Sequence, residues 1–163
     1  MPVVFYRLFT FCVKRGAKMR QFISNSTEET EIFAASLADK ISGAAVIAMT
    51  GDLGAGKTAF VRGLAKGLGF TGEVSSPTFA IVHEYVGGRL PLYHFDMYRV
   101  EDWNSLYSTG FFDYMETKSV LAVEWSENIE NALPDDLITV DIKRGDGDNC
   151  RIITLSTRGD ISL

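Results

Sequence analysis

GDLGAGKT, residues 51–58, is the stretch of sequence that decides the fold. It matches Gly-x-x-x-x-Gly-Lys-Ser/Thr, a phosphate-binding loop whose glycines let backbone N–H groups approach phosphate oxygens closely. In such a loop Lys57 reaches the β- and γ-phosphates, and the Thr58 hydroxyl binds Mg²⁺. The candidate nucleotide-binding residues are those of the loop and the residue after it: Gly51, Asp52, Leu53, Gly54, Ala55, Gly56, Lys57, Thr58 and Ala59.

The segments on either side of this loop are those that a phosphate site needs. Residues 44–49, AAVIAM, form a short apolar run that predicts a buried parallel strand. Residues 57–68 carry Phe60, Leu64 and Leu68 at helical spacing, which predicts a helix that begins inside the motif. A strand, loop and helix in direct succession bring backbone N–H groups together on a phosphate, which disfavours an ordinary glycine-rich loop.

The rest of the pattern predicts one α/β domain. Ser26 with Glu29 three residues later is typical of the start of a helix. The predicted elements are an edge strand (21–24), a helix (27–41), a hairpin (79–85 with 90–95), a partly helical segment (101–115), a buried strand (120–123) and a second hairpin (137–143 with 150–156). We therefore expect a phosphate-loop NTPase fold, as a single three-layer domain with a mixed sheet.

Composition limits the class of protein. The chain has 163 residues, of which 46% are hydrophobic and 23% charged, as in a globular domain. Its net charge of −5 argues against a broad nucleic-acid-binding face. Cys12 and Cys150 have no metal-site spacing and are expected to be reduced thiols.

Residues 1–18 are expected to be an extension outside the fold, without a role in catalysis. Their longest uncharged run, 8–13, is too short to span a bilayer. Arg7 interrupts the apolar part and no small-residue cleavage site follows, which disfavours a signal peptide. Met19 precedes the first sequence typical of a compact domain, so we assign the domain to residues 19–163.

Two acidic residues follow predicted strands and, with Lys57, are the candidate catalytic residues. Glu124 follows the apolar residues 120–123, and Asp96 ends the first hairpin. Ligands of doubly wound sheets lie beyond the carboxyl ends of the strands, where a phosphate-loop enzyme needs an acidic residue near Mg²⁺. Either of Asp96 and Glu124 can bind the metal, directly or through water, while the other orients the attacking water. Solvated strand-end carboxylates are the alternative.

The residues alone leave the class of function open. The Asn-Lys-x-Asp segment of guanine-binding switches and the Arg-rich lid of small-metabolite kinases are both missing, which favours adenine as the base. His83 and His94 lie in the first hairpin, and we expect both to have packed or hydrogen-bonded structural roles. An ATPase, a metabolite or nucleoside kinase, and a nucleotide-dependent binding module with negligible turnover all fit.

Further segments resemble one family. SSPTFAIVHEY, LYHFDMYRV, VEWSENI and then LP follow the phosphate loop in that order, as in the TsaE (YjeE) family of bacterial ATPases, which support the formation of threonylcarbamoyladenosine in tRNA. The resemblance runs from Met19 to the end of the chain. Its later segments are much more specific than the phosphate loop, which many families share.

The resemblance implies a small domain that hydrolyses ATP slowly alone and acts in the cytoplasm with TsaB and TsaD type proteins, through which it reaches tRNA. It implies that Thr58 and Glu124 bind Mg²⁺ and that Asp96 is the aspartate of the FD.YR segment. Thr27, at the start of the first helix, is implied to lie near the nucleotide. Residues 76–78 resemble a switch-like loop that faces the γ-phosphate.

Two features depart from the family pattern. Ala59 stands where the family often has a second threonine, so a hydroxyl that touches the α-phosphate is missing while the backbone N–H is kept. We expect somewhat weaker nucleotide binding and the same function. The extension before Met19 is also unusual.

Overall fold

One mixed sheet organises the computed structural model, which describes residues 9–12 and 18–158. Eight strands belong to it within these ranges, in the spatial order β1-β2-β8-β7-β3-β6-β5-β4. The strands are Phe9–Cys12 (β1), Lys18–Ser24 (β2), Ala45–Thr50 (β3), Val82–Tyr85 (β4), Leu92–Asp96 (β5), Val120–Glu124 (β6), Leu137–Arg144 (β7) and Arg151–Arg158 (β8).

The centre of the sheet is parallel and its flanks are antiparallel. Strand β3 pairs in parallel with β6 and β7, and β5 pairs in parallel with β6. The β1–β2, β2–β8, β7–β8 and β4–β5 pairings are antiparallel. The carboxyl ends of β7, β3, β6 and β5 consequently meet at one edge of the sheet, where the loop after β3 also begins.

Helices cover both faces, which confirms the three-layer prediction. The helices are Thr27–Ala38 (α1), Lys57–Gly67 (α2), Trp103–Ser108 (α3) and Phe111–Met115 (α4), and Ser126–Ala132 forms a 3₁₀ segment. Alternate residues of β3 divide the apolar core: Ile47 packs with residues of α1 and α2, and Val46 with residues of α3, α4 and the 3₁₀ segment. This alternation is the two-residue period of a strand buried on both faces.

Helices α1 and α2 lie in close backbone contact, which fixes the direction of α2. A Cβ atom on Gly63 would lie 2.2 Å from the Glu31 carbonyl oxygen, and one on Gly67 would lie 2.5 Å from the Ala35 carbonyl oxygen. Glu31 also pairs with Arg62 at 2.8 Å and with Lys66. Because the two glycines have no side chains, the backbones of α1 and α2 can approach closely, and the ion pairs then stabilise this contact.

The first helix begins as predicted and ends earlier. The Ser26 side chain accepts the Glu29 N–H at 3.1 Å, which confirms the N-cap. The helix ends at Ala38 rather than at residue 41, and its last turn is closed by Arg89, whose guanidinium donates to the carbonyl oxygens of Ala38 and Ile41. Arg89 thus binds the free carbonyl groups that a helix end leaves.

Both hairpins are confirmed; the strands of the first are shorter than predicted, and those of the second extend one or two residues further. The first starts only at Val82, because Ala80 and Ile81 both donate to the Pro77 carbonyl and form a turn in which Ile81 has a φ of +70°. Its second strand starts at Leu92, directly after Pro91, since proline cannot donate to a sheet ladder.

The edge position expected for residues 21–24 is wrong at Gln21 alone. These residues lie in β2, which pairs with β8, and β1 covers the other side of β2 at 18–21, so residues 22–24 pair with β8 and have no β1 partner among the described residues. Part of the extension thus contributes a strand to the sheet, which the sequence did not predict. Residues 1–8 and 13–17 lie outside the described residues, and that 1–18 can be removed without loss of function stays a prediction.

Candidate nucleotide-binding site

The loop after β3 has a backbone that glycine makes possible. Gly51, Gly54 and Gly56 have φ values of +140°, +75° and +111°, a region that other residues adopt only with strain. Gly51 is also in close contact with β7, since a Cβ atom there would lie 2.5 Å from the Ile142 carbonyl oxygen. The backbone torsions of all three residues therefore require glycine, and at Gly51 the close packing against β7 requires it as well.

The amino end of α2 is left open to an anion. Its N-cap is Gly56, and no side chain caps the first N–H groups of the helix. Such groups carry partial positive charge and bind phosphate readily. On the other side of the loop, Arg151 donates from Nε to the Ala55 carbonyl at 2.9 Å and from Nη2 to the Gly54 carbonyl at 3.4 Å. These bonds tie two loop carbonyl groups to β8.

Lys57 is held over the loop. Its side chain is 95% buried, and its ammonium donates to the carbonyl oxygens of Gly51 and Asp52, the latter at 3.1 Å. Nζ also lies 4.3 Å from the centroid of the Trp125 ring, a cation–π distance. Trp125 follows Glu124 with a left-handed φ of +56°, and its ring lies 4.9 Å from that of Tyr98. Two loop carbonyl groups and the Trp125 ring thus fix the position of the Lys57 ammonium.

The two predicted carboxylates are neighbours. Asp96 and Glu124 are register partners at the ends of β5 and β6, and they are only 7% and 4% exposed. Glu124 Oε1 accepts the Thr58 hydroxyl at 3.0 Å. Asp96 Oδ2 accepts the Thr78 hydroxyl at 3.2 Å, and Oδ1 accepts the Tyr98 N–H at 3.0 Å. The parallel register brings together two residues that are far apart in the chain.

The loop of residues 76–78 is anchored at both ends. The Tyr85 hydroxyl donates to the Ser75 carbonyl at 2.9 Å and accepts the Ser75 N–H at 3.2 Å, while burial raises the pKa of Tyr85. At the other end Thr78 bonds to Asp96, and its hydroxyl also lies 2.8 Å from that of Ser76. This places two hydroxyl groups opposite the phosphate loop.

These groups line one pocket of about 340 Å³. Its lining residues are Leu53, Gly54, Gly56, Lys57, Thr58, Ala59, Ser76, Thr78, Asp96, Glu124 and Trp125. Gly51 and Asp52 line an adjoining pocket of about 450 Å³ together with Trp125 and the end of β7. Ala55 is buried, and its carbonyl bonds to Arg151. Thr27 is exposed at the start of α1, and it is not among the described residues that line either of these two pockets.

The donor atoms suit a hard cation such as Mg²⁺. The pocket offers carboxylate and hydroxyl oxygens, the ligand type that Mg²⁺ prefers. Within residues 9–12 and 18–158, no group of three or more His, Cys, Asp or Glu side chains is arranged to hold a metal ion. Proteins typically bind Mg²⁺ with one or two carboxylates and leave its other positions to phosphates and waters.

Sequence reasoning missed two features of the site. The prediction that His94 is buried and hydrogen-bonded is confirmed, but its partner is Glu124, with Nε2 2.8 Å from Oε1. The two-residue spacing from Asp96 was the available signal, since it places both side chains on one face of β5. The contacts of Arg151 with the loop had no signal in the sequence, because they depend on the parallel pairing of β7 with β3, which places the predicted second hairpin beside the loop.

Comparison with known proteins agrees with this geometry. The family model of the threonylcarbamoyl adenosine biosynthesis protein TsaE matches residues 24–153. This chain belongs to the TsaE family. The TsaE protein of Bacillus subtilis (strain 168) is 44% identical over 133 residues, which are 82% of each chain. That of Haemophilus influenzae is 44% identical over 100 residues, or 61% of this chain and 63% of the relative.

A solved TsaE-like structure has the same fold. The crystal structure of YdiB from Bacillus subtilis superposes with a TM-score of 0.75 at 37% identity, over 90% of each chain. The α/β phosphate-loop fold predicted from the sequence is thereby confirmed. No helix in the described part of the chain combines the length and apolar character needed to cross a membrane.

Proposed function

We propose that this TsaE family member binds ATP with Mg²⁺ in the 340 Å³ pocket and hydrolyses it in support of threonylcarbamoyladenosine formation in tRNA. The observation that carries the proposal is the joining of Thr58 to Glu124 across the pocket, with Asp96 beside Glu124 on the next strand. Relatives over most of the chain are named for tRNA threonylcarbamoyladenosine biosynthesis. These relatives do not favour the alternative, a small metabolite kinase.

The phosphates of ATP bind at the amino end of α2. The open N–H groups of the first turn donate to the β-phosphate oxygens, and Lys57 turns from the carbonyl groups of Gly51 and Asp52 to the β- and γ-phosphates. Because Lys57 is already buried and oriented by Trp125, little side-chain entropy is lost in this step. Its charge stabilises the negative charge that develops during phosphoryl transfer.

The carboxylates divide the remaining work. Thr58 and Glu124 hold Mg²⁺, which when bound offsets charge on the β- and γ-phosphate oxygens. Asp96 supports the metal or orients the attacking water, with its carboxylate kept in place by Thr78 and by the Tyr98 N–H. Ser76 and Thr78 line the side of the pocket that receives the γ-phosphate. The 76–78 loop therefore responds to whether a nucleotide occupies the pocket.

Turnover is slow in the isolated protein and is stimulated by partners of the TsaB and TsaD type in the cytoplasm. Two exposed, large apolar side chains suit contact with a partner: Leu53, which lines the pocket, is 84% exposed, and Phe79, which follows Thr78 in the chain, is 87% exposed. The acidic chain then reaches tRNA through these proteins.

Phosphate release tests this function. Purified protein is given ATP with Mg²⁺ or with EDTA and no other acceptor, alone and with TsaB and TsaD type proteins. We expect slow release that needs Mg²⁺ and rises with the partners. ADP formation that appears only when a small-molecule acceptor is added would overturn the ATPase and support the kinase.

A further inference from the structure

His94 is a polar side chain in an otherwise apolar part of the core. It is completely buried on the face of β5 that packs against α1 and α2, beside Leu92 and Tyr85. Its Nδ1 is the buried side-chain polar atom that has no hydrogen-bond partner among the described residues. Burial of an unpartnered nitrogen costs free energy, so an apolar residue would serve packing better at this position.

The bond that His94 does make is directed at the site. Nε2 lies 2.8 Å from Glu124 Oε1, and a carboxylate can only accept, so the ring proton is on Nε2 and the imidazole donates. The register of β5 and β6 explains the reach: His94 is paired with Ala122, whose small side chain leaves room for the ring to extend toward Glu124, two residues on.

Both donors to Glu124 converge on one oxygen. Oε1 accepts from His94 and from the Thr58 hydroxyl, whereas Oε2 has no hydrogen bond to a described residue. Two donors in fixed positions determine the rotation of the carboxylate about its last bond. They also leave Oε2 available to a ligand in the pocket that Glu124 lines.

We propose that His94 is a positioning residue for magnesium binding: its Nε2–H holds the Glu124 carboxylate in the orientation that receives the metal of the bound nucleotide. The inference rests on the proposed function, because it needs Mg²⁺ to bind with ATP at Glu124. Outer-shell hydrogen bonds of this kind orient metal-ligating carboxylates, and their removal lowers metal affinity by about 10–100-fold.

Calorimetric titration with the non-hydrolysable analogue AMP-PNP tests the proposal without turnover. The affinity in Mg²⁺ divided by that in EDTA gives the magnesium-linked gain. In His94→Leu we expect this gain to fall on the order of 10-fold, with the affinity in EDTA unchanged. His94→Gln carries an N–H at the same number of bonds from Cβ as Nε2 and should restore most of the gain, whereas His94→Asn is one bond shorter and should not.

Leu92→Ala is the matched control for lost stability. Leu92 is buried on the same face of β5 and is the register partner of Val120, four residues before Glu124, so its truncation should lower the thermal midpoint and leave the gain intact. A full gain in His94→Leu, or equal gains in His94→Gln and His94→Asn, would overturn the proposal. If His94→Leu does not fold, the Gln–Asn pair decides. No gain in the parent protein would refute the proposed function itself.

Discussion

The two sides of the nucleotide pocket are assembled in different ways. The phosphate-loop side comes from one continuous segment, 51–59, in which glycine torsions and the start of α2 place every group. The carboxylate side comes from three separate segments, around residues 76–78, 94–96 and 124, which meet through the parallel pairing of β5 with β6 and through the Thr78–Asp96 hydrogen bond. Local sequence determines the first side, and tertiary register determines the second.

The two sides therefore differ in how they respond to substitutions. On the loop side, a change at Lys57 acts directly on phosphate contacts. The carboxylate side depends on a network in which Glu124 accepts from His94 and, across the pocket, from Thr58, so a change there alters several groups together. The predictions below probe the loop side, then the carboxylate side, then the packing that connects them.

The largest effect is expected for Lys57→Ala on the loop side. Loss of the ammonium removes charge stabilisation of the transition state, and turnover should fall on the order of 100-fold or more. The protein should stay folded by circular dichroism. Lys66→Ala, on the exposed side of the same helix, should keep its turnover. Unchanged ATP hydrolysis in Lys57→Ala would refute the assignment of the phosphate loop.

The carboxylate side should separate binding from turnover. Glu124→Gln keeps the shape and removes the charge, so Mg²⁺-dependent ATP affinity should fall by about 10–100-fold and hydrolysis should slow. Asp96→Asn should lower turnover more than nucleotide affinity. Titration of each variant with and without Mg²⁺, followed by single-turnover hydrolysis, measures both. If Glu124→Gln bound and hydrolysed ATP like the parent, its carboxylate would be structural and Asp96 the remaining metal candidate.

Helix packing behind the loop gives a smaller, purely structural effect. Gly63→Ala forces a methyl group against the Glu31 backbone. We expect the free energy of unfolding to fall by about 1–3 kcal/mol, and the thermal midpoint to fall by roughly 2–4 °C for each kcal/mol lost. Gly43→Ala, where a Cβ atom meets nothing within 4 Å, is the control and should be nearly neutral. Equal midpoints for the two variants would contradict the close helix contact.

The smallest effect is expected at the edge of the sheet. A chain that begins at Met19 should keep its ATP affinity and its thermal midpoint, since the family match begins at residue 24 and β1 pairs only with β2. Differential scanning calorimetry and titration of the two chains check this. A drop of several degrees would mean that the pairing of β1 with β2 stabilises the domain.

The features that the sequence predicts correctly are mostly those that local sequence determines, as on the loop side of the pocket. The phosphate loop, α2 and the Ser26 cap rest on short-range patterns, and all three are found in the structure. The shared edge of Asp96 and Glu124 was predictable because parallel strands end together. The His94–Glu124 bond had only an indirect signal, the two-residue spacing of His94 from Asp96. The Arg151 contacts require the pairing of β7 with β3, strands distant in sequence whose register a residue pattern does not contain.

The placement of Trp125 gives the protein an internal optical reporter. Its indole lies under the Lys57 ammonium, and indole emission responds to a charge at its face. When that ammonium moves to a phosphate, the emission of Trp125 should change with occupancy of the pocket. The chain has two tryptophans, and the second, Trp103, lies in α3, so Trp103→Phe leaves a single fluorophore that reads nucleotide binding without a label.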